Sequence, residues 1–234
     1  MIILVTGTGT DVGKTVATAA LAAALEGNGR RVGVVKPVQT GEPGGPEDHG
    51  DLATVRRLTG ITDLHEFHRY PEPLAPDLSA RRAGLPAAQL REVADRLRSL
   101  DATDPDRILF VEGAGGILVR VGEGWTLADL AVELGAPMVV VTTLGLGSLN
   151  AAELTVRCAL HHGIRVLGLV GGSLPADPDL ATGLNVAELP VVTGVPLLGC
   201  VPAGAGALGH EEFRRLSMAT LAWHTLSPWI RTPN

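Results

Sequence analysis

The sequence predicts an α/β chain: a three-layer α/β/α domain with a mostly parallel central sheet and helices on both faces. Three observations carry that prediction. Apolar, β-branched runs recur between helix-length segments, the pattern of successive βαβ units. Hydrophobic residues make up 45% of the chain but aromatics only 3%, so the core must come from Ala, Val, Leu and Ile, which suits helices packed on a parallel sheet. A Gly-rich turn follows the first apolar run and leads directly into an Ala-rich helix.

In order along the chain, the expected strands are Ile2–Thr6, Arg31–Lys36, Arg107–Glu112, Pro137–Thr142, Val166–Gly171 and Pro196–Val201. The expected helices are Lys14–Glu26, Asp51–Thr59, Ala87–Leu100, Leu127–Leu134, Ala151–His162, Leu180–Leu189 and Glu211–Trp223. Thr126-Leu-Ala-Asp129 reads as a capping box, and Gly135 followed by Pro137 ends the helix it starts. Asn150-Ala-Ala-Glu153 reads as a second capping box after the flexible stretch Gly145–Ser148. Thr40–Gly50 and His68–Pro76, rich in Gly, Pro or both, read as mobile loops. With 234 residues, one domain spanning 1–234 is expected.

Composition excludes several function classes. A formal charge of −6 argues against a nucleic-acid partner, which would need a basic face. No apolar run approaches the length of a membrane span. The opening Met1-Ile2-Ile3-Leu4-Val5 has no basic flank or cleavage site and reads as a strand rather than a leader, so a cytoplasmic protein is expected. Cys158 and Cys200 lack metal or redox spacing and read as buried free thiols.

The strongest chemical signal is Gly7-Thr8-Gly9-Thr10-Asp11-Val12-Gly13-Lys14-Thr15. Between a strand and a helix, successive backbone N–H groups and the helix dipole make a cradle for phosphate oxygens, the P-loop of nucleoside triphosphatases. Lys14 would neutralise the β- and γ-phosphates, and the Thr15 hydroxyl would face Mg²⁺. The spacing departs from the usual motif: position 8 is Thr where a first glycine is expected, and Gly7 lies one residue too far back.

Phosphoryl transfer also needs carboxylates for the metal and further cations. Glu112 ends a predicted strand and enters Gly113-Ala114-Gly115-Gly116, which suits a metal ligand beside glycine N–H groups. Asp51 opens a predicted helix and reads equally as a cap or a metal ligand. Lys36 ends another strand on the same expected edge, where a phosphate or a carboxylate is its natural partner. In such sheets ligands gather beyond the carboxyl ends of the strands.

With these residues in view, the chain resembles the dethiobiotin synthetase family. Four blocks carry the likeness: Gly7–Thr15, Lys36-Pro37-Val38-Gln39-Thr40-Gly41, Val111-Glu112-Gly113-Ala114-Gly115-Gly116 and Leu144-Gly145-Leu146-Gly147-Ser148-Leu149-Asn150. The likeness runs nearly to the end, through Val201-Pro202-Ala203-Gly204, and the extra residue of the phosphate loop is a family trait. The resemblance implies Mg²⁺- and ATP-dependent closure of a cyclic urea from CO₂ and 7,8-diaminononanoate, through a carbamate and a carbamic–phosphoric anhydride. It implies that Gly9, Thr10, Asp11, Val12, Gly13, Lys14, Thr15 and Val16 hold the nucleotide. Pro202, Ala203 and Gly204 would line its base, and Thr15, Asp51 and Glu112 would hold the metal. Lys14 and Lys36 would keep carbamate and γ-phosphate together, with Thr10 and Asp11 beside the reacting groups. Thr10, Lys36, Thr40, Glu112 and Gly115 would contact the diamine.

The family also implies a homodimer, in which Gly147, Leu149 and Asn150 of the other subunit receive the substrate's distal carboxylate at a helix N-terminus. For Asn150 a plain helix cap is the alternative. One departure stands out. Where many members have an Asn that reads the adenine edge, this chain has Gly172, so base discrimination should be weak and other nucleoside triphosphates should replace ATP.

Two rivals share the phosphate loop. A cobyrinate-type amidating ligase usually carries a glutaminase domain, for which this length has no room. A nucleotide-switched partitioning-type ATPase normally has a second lysine near the start of the loop, and Thr8–Val12 contain none.

Overall fold

The computed structural model describes residues 1–41 and 49–221. In chain order the elements are β1 (Ile2–Gly7), α1 (Lys14–Gly27), β2 (Val32–Thr40), α2 (Asp51–Thr59), β3 (Leu64–Tyr70), α3 (Pro76–Ala83), α4 (Leu90–Thr103), β4 (Ile108–Gly116), β5 (Arg120–Gly122), β6 (Trp125–Thr126), α5 (Leu127–Leu134), β7 (Met138–Thr142), α6 (Ser148–His161), β8 (Val166–Leu174), α7 (Leu180–Thr193), β9 (Leu197–Pro202), a 3₁₀ turn (Ala205–Ala207) and α8 (His210–Thr220). Seven strands form the main sheet in the order β3-β2-β4-β1-β7-β8-β9, and β5 pairs with β6 in a small hairpin. Every neighbouring pair in the main sheet runs parallel.

Strand alternation splits the core into two layers. Ile3 and Val5 of β1, Val32 and Val34 of β2, Ile108 and Phe110 of β4, and Val139 and Val141 of β7 face the cluster that contains α1, α2 and α8. Their neighbours Leu4, Val35, Leu109, Val111, Met138 and Val140 face the opposite cluster, with α4, α5, α6 and α7. Helix α1 lies deepest: Ala17 to Leu25 are all buried, with α2 and α8 beside it. Its Ala-rich sequence favours helix and permits that close approach. Each fully buried Leu here, such as Leu21, contributes about 1.5–3 kcal/mol.

Several boundaries differ from the sequence expectation. His68–Pro76 is not a loop throughout, because β3 runs to Tyr70 and α3 starts at Pro76. β3 and α3 escape a periodicity reading because they are short and polar, with β3 half-exposed over most of its length. The β5–β6 hairpin is also new. The Thr126–Asp129 capping box forms, but the one at Asn150 does not: α6 starts earlier, at Ser148, after a left-handed Gly147. α4 is shifted toward its C-terminal end relative to Ala87–Leu100. α7 runs past Leu189 and through Pro190 to Thr193, and the carbonyl of Pro190 accepts the N–H of Gly194 at 2.9 Å. α8 ends at Thr220; Trp223, and residues 42–48 of the expected Thr40–Gly50 loop, lie outside the described residues. Both cysteines are free, but half-buried rather than buried. Among the described residues no helix is long and apolar enough to cross a membrane.

One buried polar contact ties the second helical layer to the functional edge. Asn185 of α7 donates from Nδ2 to the carbonyls of Leu144 at 2.9 Å and Gly145 at 2.8 Å, and to Ser148 Oγ at 3.1 Å. Asn185→Ala removes those donors and leaves buried acceptors unpaired. Urea unfolding is expected to show a loss of about 1–3 kcal/mol.

Candidate active site

The site follows from the register of the central strands. β2 and β4 pair in parallel with Val34 opposite Phe110 and Val35 opposite Val111. Two residues beyond Val34 and Phe110 stand Lys36 and Glu112, on the same face and toward α1 and α2. Lys36 Nζ donates to Glu112 Oε1 at 3.0 Å and to the Gly113 carbonyl at 3.1 Å. It also contacts Asp51 Oδ2, which arrives at the first residue of α2. Thr15, in the first turn of α1, donates to Glu112 Oε1 at 2.9 Å. Two strands and two helix starts thus meet at one point, and the strands do not end there as expected: β2 runs on past Lys36 to Thr40 and β4 past Glu112 to Gly116.

Burial makes the charges interdependent. The Lys36 side chain is 4% exposed and that of Glu112 1%. Burial alone would pull the Lys36 ammonium down, but Glu112 and then Asp51 hold it above the ordinary lysine range. For Asp51, burial works upward and is outweighed by Lys36, so its carboxyl sits below its usual value. Burial keeps Glu112 above its usual value, against the attraction of Lys36 and with the nearby charge of Asp51 adding to the upward push. Lys14, which donates to the Gly9 carbonyl at 3.0 Å, is held below its usual value mainly by burial, with Lys36 also pushing it down.

The donor set suits a small hard cation. Thr15, Asp51 and Glu112 offer oxygen only, and Glu112 Oε2 is buried with no hydrogen-bond partner among the described residues. No cluster of three or more His, Cys, Asp or Glu side chains is present among them. Two carboxylates and a hydroxyl match magnesium, which keeps much of its shell for water and phosphate oxygens.

The phosphate loop is pressed against strand β8. Gly13 has φ 88°, and a Cβ there would lie 2.6 Å from the Gly172 carbonyl oxygen. A Cβ on Gly172 would overlap the carbonyl oxygen of Val12. Both positions therefore require glycine. Asp11 is the one non-glycine with positive φ among the described residues, at 57°, in the left-handed region that Asp tolerates.

A cavity of about 800 Å³ brings together Thr10, Asp11, Gly13, Lys14, Thr15, Val16, Lys36, Thr40, Asp51, Glu112 and Gly115. Its wall includes Pro73, Leu74, Ala75 and Pro76, inside the segment expected to be a loop, and Val119 after β4. The apolar character of Pro73–Pro76 was visible in the sequence, but nothing local tied it to Lys36. Gly147, Leu149 and Asn150 do not line this cavity; they form the cap and first turn of α6, with Asn150 exposed and Leu149 half-buried. Pro202, Ala203 and Gly204 lie at the end of β9, where the Ala203 N–H donates to the Leu174 carbonyl at 2.8 Å. Arg57 of α2 donates to the Gly206 carbonyl at 2.6 Å and so reaches the same stretch.

Comparison with known proteins shows the family and the fold. A family model described as an AAA domain matches residues 2–207. The ATP-dependent dethiobiotin synthetase BioD of Corynebacterium efficiens is 57% identical over 220 residues, covering 94% of this chain and 97% of the relative. The proteins of the same name from Rhodococcus jostii and Streptomyces coelicolor are 52% and 51% identical, covering 99% and 97% of this chain and 97% and 92% of the relatives. Among solved structures, the cell division ATPase MinD of Pyrococcus furiosus aligns with a TM-score of 0.56 at 20% identity, covering 97% of this chain and 98% of that one. The MinC:MinD complex of Aquifex aeolicus aligns at 0.59 and 13%, covering 100% and 97%. At such identities these structures speak to the fold alone.

Lys36→Met leaves two carboxylates facing one another without their paired cation, Lys14 acting on them only through space, and urea unfolding at pH 7 should show a loss of about 3–5 kcal/mol. The pH profile gives the sign. In the native protein Asp51 is depressed, so its contribution is present above the ordinary aspartate value of about 3.9 and is lost as pH falls through its lower folded value. In Lys36→Met the paired carboxyls are raised, so stability should increase as pH falls.

Proposed function

Because the chain belongs to the ATP-dependent dethiobiotin synthetases, and to the AAA-domain family that residues 2–207 match, we propose that it closes the cyclic urea of dethiobiotin from 7,8-diaminononanoate, CO₂ and a nucleoside triphosphate. The observation that carries the reading is the buried Lys36 ammonium, held by Glu112 and Asp51 at the mouth of a phosphate loop.

The chemistry needs three steps. One substrate amine adds to CO₂ and loses a proton, giving a carbamate. A carbamate oxygen attacks the γ-phosphorus and displaces the nucleoside diphosphate. The second amine then attacks the carbamoyl carbon, gives up a proton as phosphate is expelled, and closes the ring. No covalent enzyme intermediate is required, so positioning and charge neutralisation supply the rate. Lys36 is suited to the carbamate and Lys14 to the phosphates, two anions that otherwise repel. Thr10, Asp11, Thr40 and Gly115 border the same cavity and would orient the diamine and the transferring group. Pro73–Pro76 and Val119 would cover its alkyl chain. Mg²⁺, held by Thr15, Asp51 and Glu112, would supply positive charge to the phosphate oxygens.

The protein would work as a homodimer. Leu146, Leu154, Leu180, Leu184 and Val191 are exposed on α6, α7 and the loop before α6, an apolar surface that a second copy would cover. That surface adjoins Gly147, Leu149 and Asn150, so the α6 N-terminus of one subunit would receive the substrate carboxylate from the other. A cytoplasmic location suits such a biosynthetic enzyme.

The base would be read weakly. Gly172 has no side-chain amide to offer, and the overlap of any Cβ with Val12 explains why the position cannot carry one on this backbone.

The primary test is phosphate release with ATP, Mg²⁺ and bicarbonate, with and without 7,8-diaminononanoate. Diamine-dependent release with the mass of the cyclic urea is expected; diamine-independent hydrolysis would refute the reading. For the base, steady-state rates with ATP, CTP and GTP should be comparable, and a strong preference for ATP would reject weak discrimination. Gly172→Asn should not create an adenine preference. It should cost about 1–3 kcal/mol of stability by overpacking the loop and weaken all three nucleotides together.

A further inference from the structure

Asp51 is delivered to the site by a helix that does not cap itself. Its N-cap is Gly50, with φ 104° and ψ −170°, and no side chain of α2 accepts from the first turn. The hold comes instead from two neighbouring strands. Gln39 of β2 accepts the Asp51 N–H at 3.0 Å through Oε1, while its Nε2 donates to the Thr40 carbonyl at 3.1 Å. Across the β2–β3 ladder, Arg69 stands opposite Gln39. Arg69 Nη2 donates to the His49 carbonyl at 3.0 Å, two residues before Asp51.

Arg69 is itself fixed. Its Nε and Nη2 meet Glu66 Oε1 and Oε2 at 2.8 and 2.7 Å, a two-pronged pair with side chains 16% and 8% exposed. A fork of this kind sets direction as well as attraction. Backbone 49–51 is therefore gripped at His49 by an oriented guanidinium and at Asp51 by an oriented amide.

We propose that Glu66, Arg69 and Gln39 are positioning residues that hold the Asp51 carboxylate where it can bind the divalent cation. The proposal rests on the reading of Asp51 as a metal ligand. Gln39 is part of the cavity wall and Glu66 and Arg69 are not, and the role of all three is exerted through backbone 49–51. Removing the grip frees the start of α2 and lowers the fraction of molecules with Asp51 in place, so the loss falls on metal affinity.

The test is Mn²⁺ binding to the full chain in the presence of ADP, followed by electron paramagnetic resonance. Wild type is compared with Arg69→Met, Arg69→Lys, Glu66→Gln and Asp51→Asn. Arg69→Met should weaken Mn²⁺ by about tenfold or more. Arg69→Lys keeps the charge without the fork and should fall between it and wild type. Metal-free ADP affinity should stay at the wild-type value, whereas general damage to the site would lower it too. Wild-type Mn²⁺ affinity in Arg69→Met, alongside a weakened Asp51→Asn, would overturn the proposal. If Arg69→Met does not fold, wild-type Mn²⁺ affinity in Glu66→Gln has the same force. Unchanged affinity in Asp51→Asn would instead remove the ligand reading on which the proposal stands.

Discussion

Everything at the functional edge depends on one buried cation. An ammonium taken out of water is strongly destabilising unless carboxylates and carbonyls replace its hydration. Lys36 obtains that replacement from Glu112, Asp51 and the Gly113 carbonyl. The first two come from different elements, so Lys36 can be buried only when β2, β4 and the start of α2 are all in place. Thr15 binds the phosphate-loop helix to the same cluster through Glu112. The same charge enforces the assembly of the site's parts.

The sheet makes the cluster geometrically simple. Parallel pairing with in-line register sends Lys36 and Glu112 out on the same face because both stand an even number of residues after buried Val34 and Phe110. A slip of one residue in either strand would turn one of them into the opposite, apolar layer. The alternation that sorts the core into two layers thereby also selects the chemistry. The loop-to-strand contact of Gly13 and Gly172 adds a second fixed distance, from the phosphate loop to β8.

Much of this was legible in the chain. The phosphate loop and Asp51 lie at helix starts, Lys36 and Glu112 lie within strands whose periodicity is strong, and the structure brings them into one cavity. What escaped has a common cause. β3 reads Leu-His-Glu-Phe-His-Arg-Tyr, too polar for a core strand because it lies at the rim of the sheet, and Glu66 and Arg69 escaped with it. Pro73–Pro76 looked like a loop because its role in the cavity wall depends on a fold that no local window contains. At Asn150 the sequence offered a convincing capping box, yet α6 begins three residues sooner, where Gly147 can turn left-handed. Such competition between a side-chain cap and a glycine turn is decided by the surroundings, here by Asn185 holding Leu144, Gly145 and Ser148.

The polar character of β3 has another consequence, for how molecules meet. The main sheet ends in two open borders, β3 and β9, and an open border is a template for pairing with a foreign strand. On β9, Leu221 comes back antiparallel to Gly199 and occupies part of the border. β3 has no such cover among the described residues. It carries the polar His65 and His68 and the Glu66–Arg69 ion pair, and polar and charged side chains on a rim strand discourage a second chain from extending the sheet. The residues that hid this strand from a pattern search therefore also guard against aggregation.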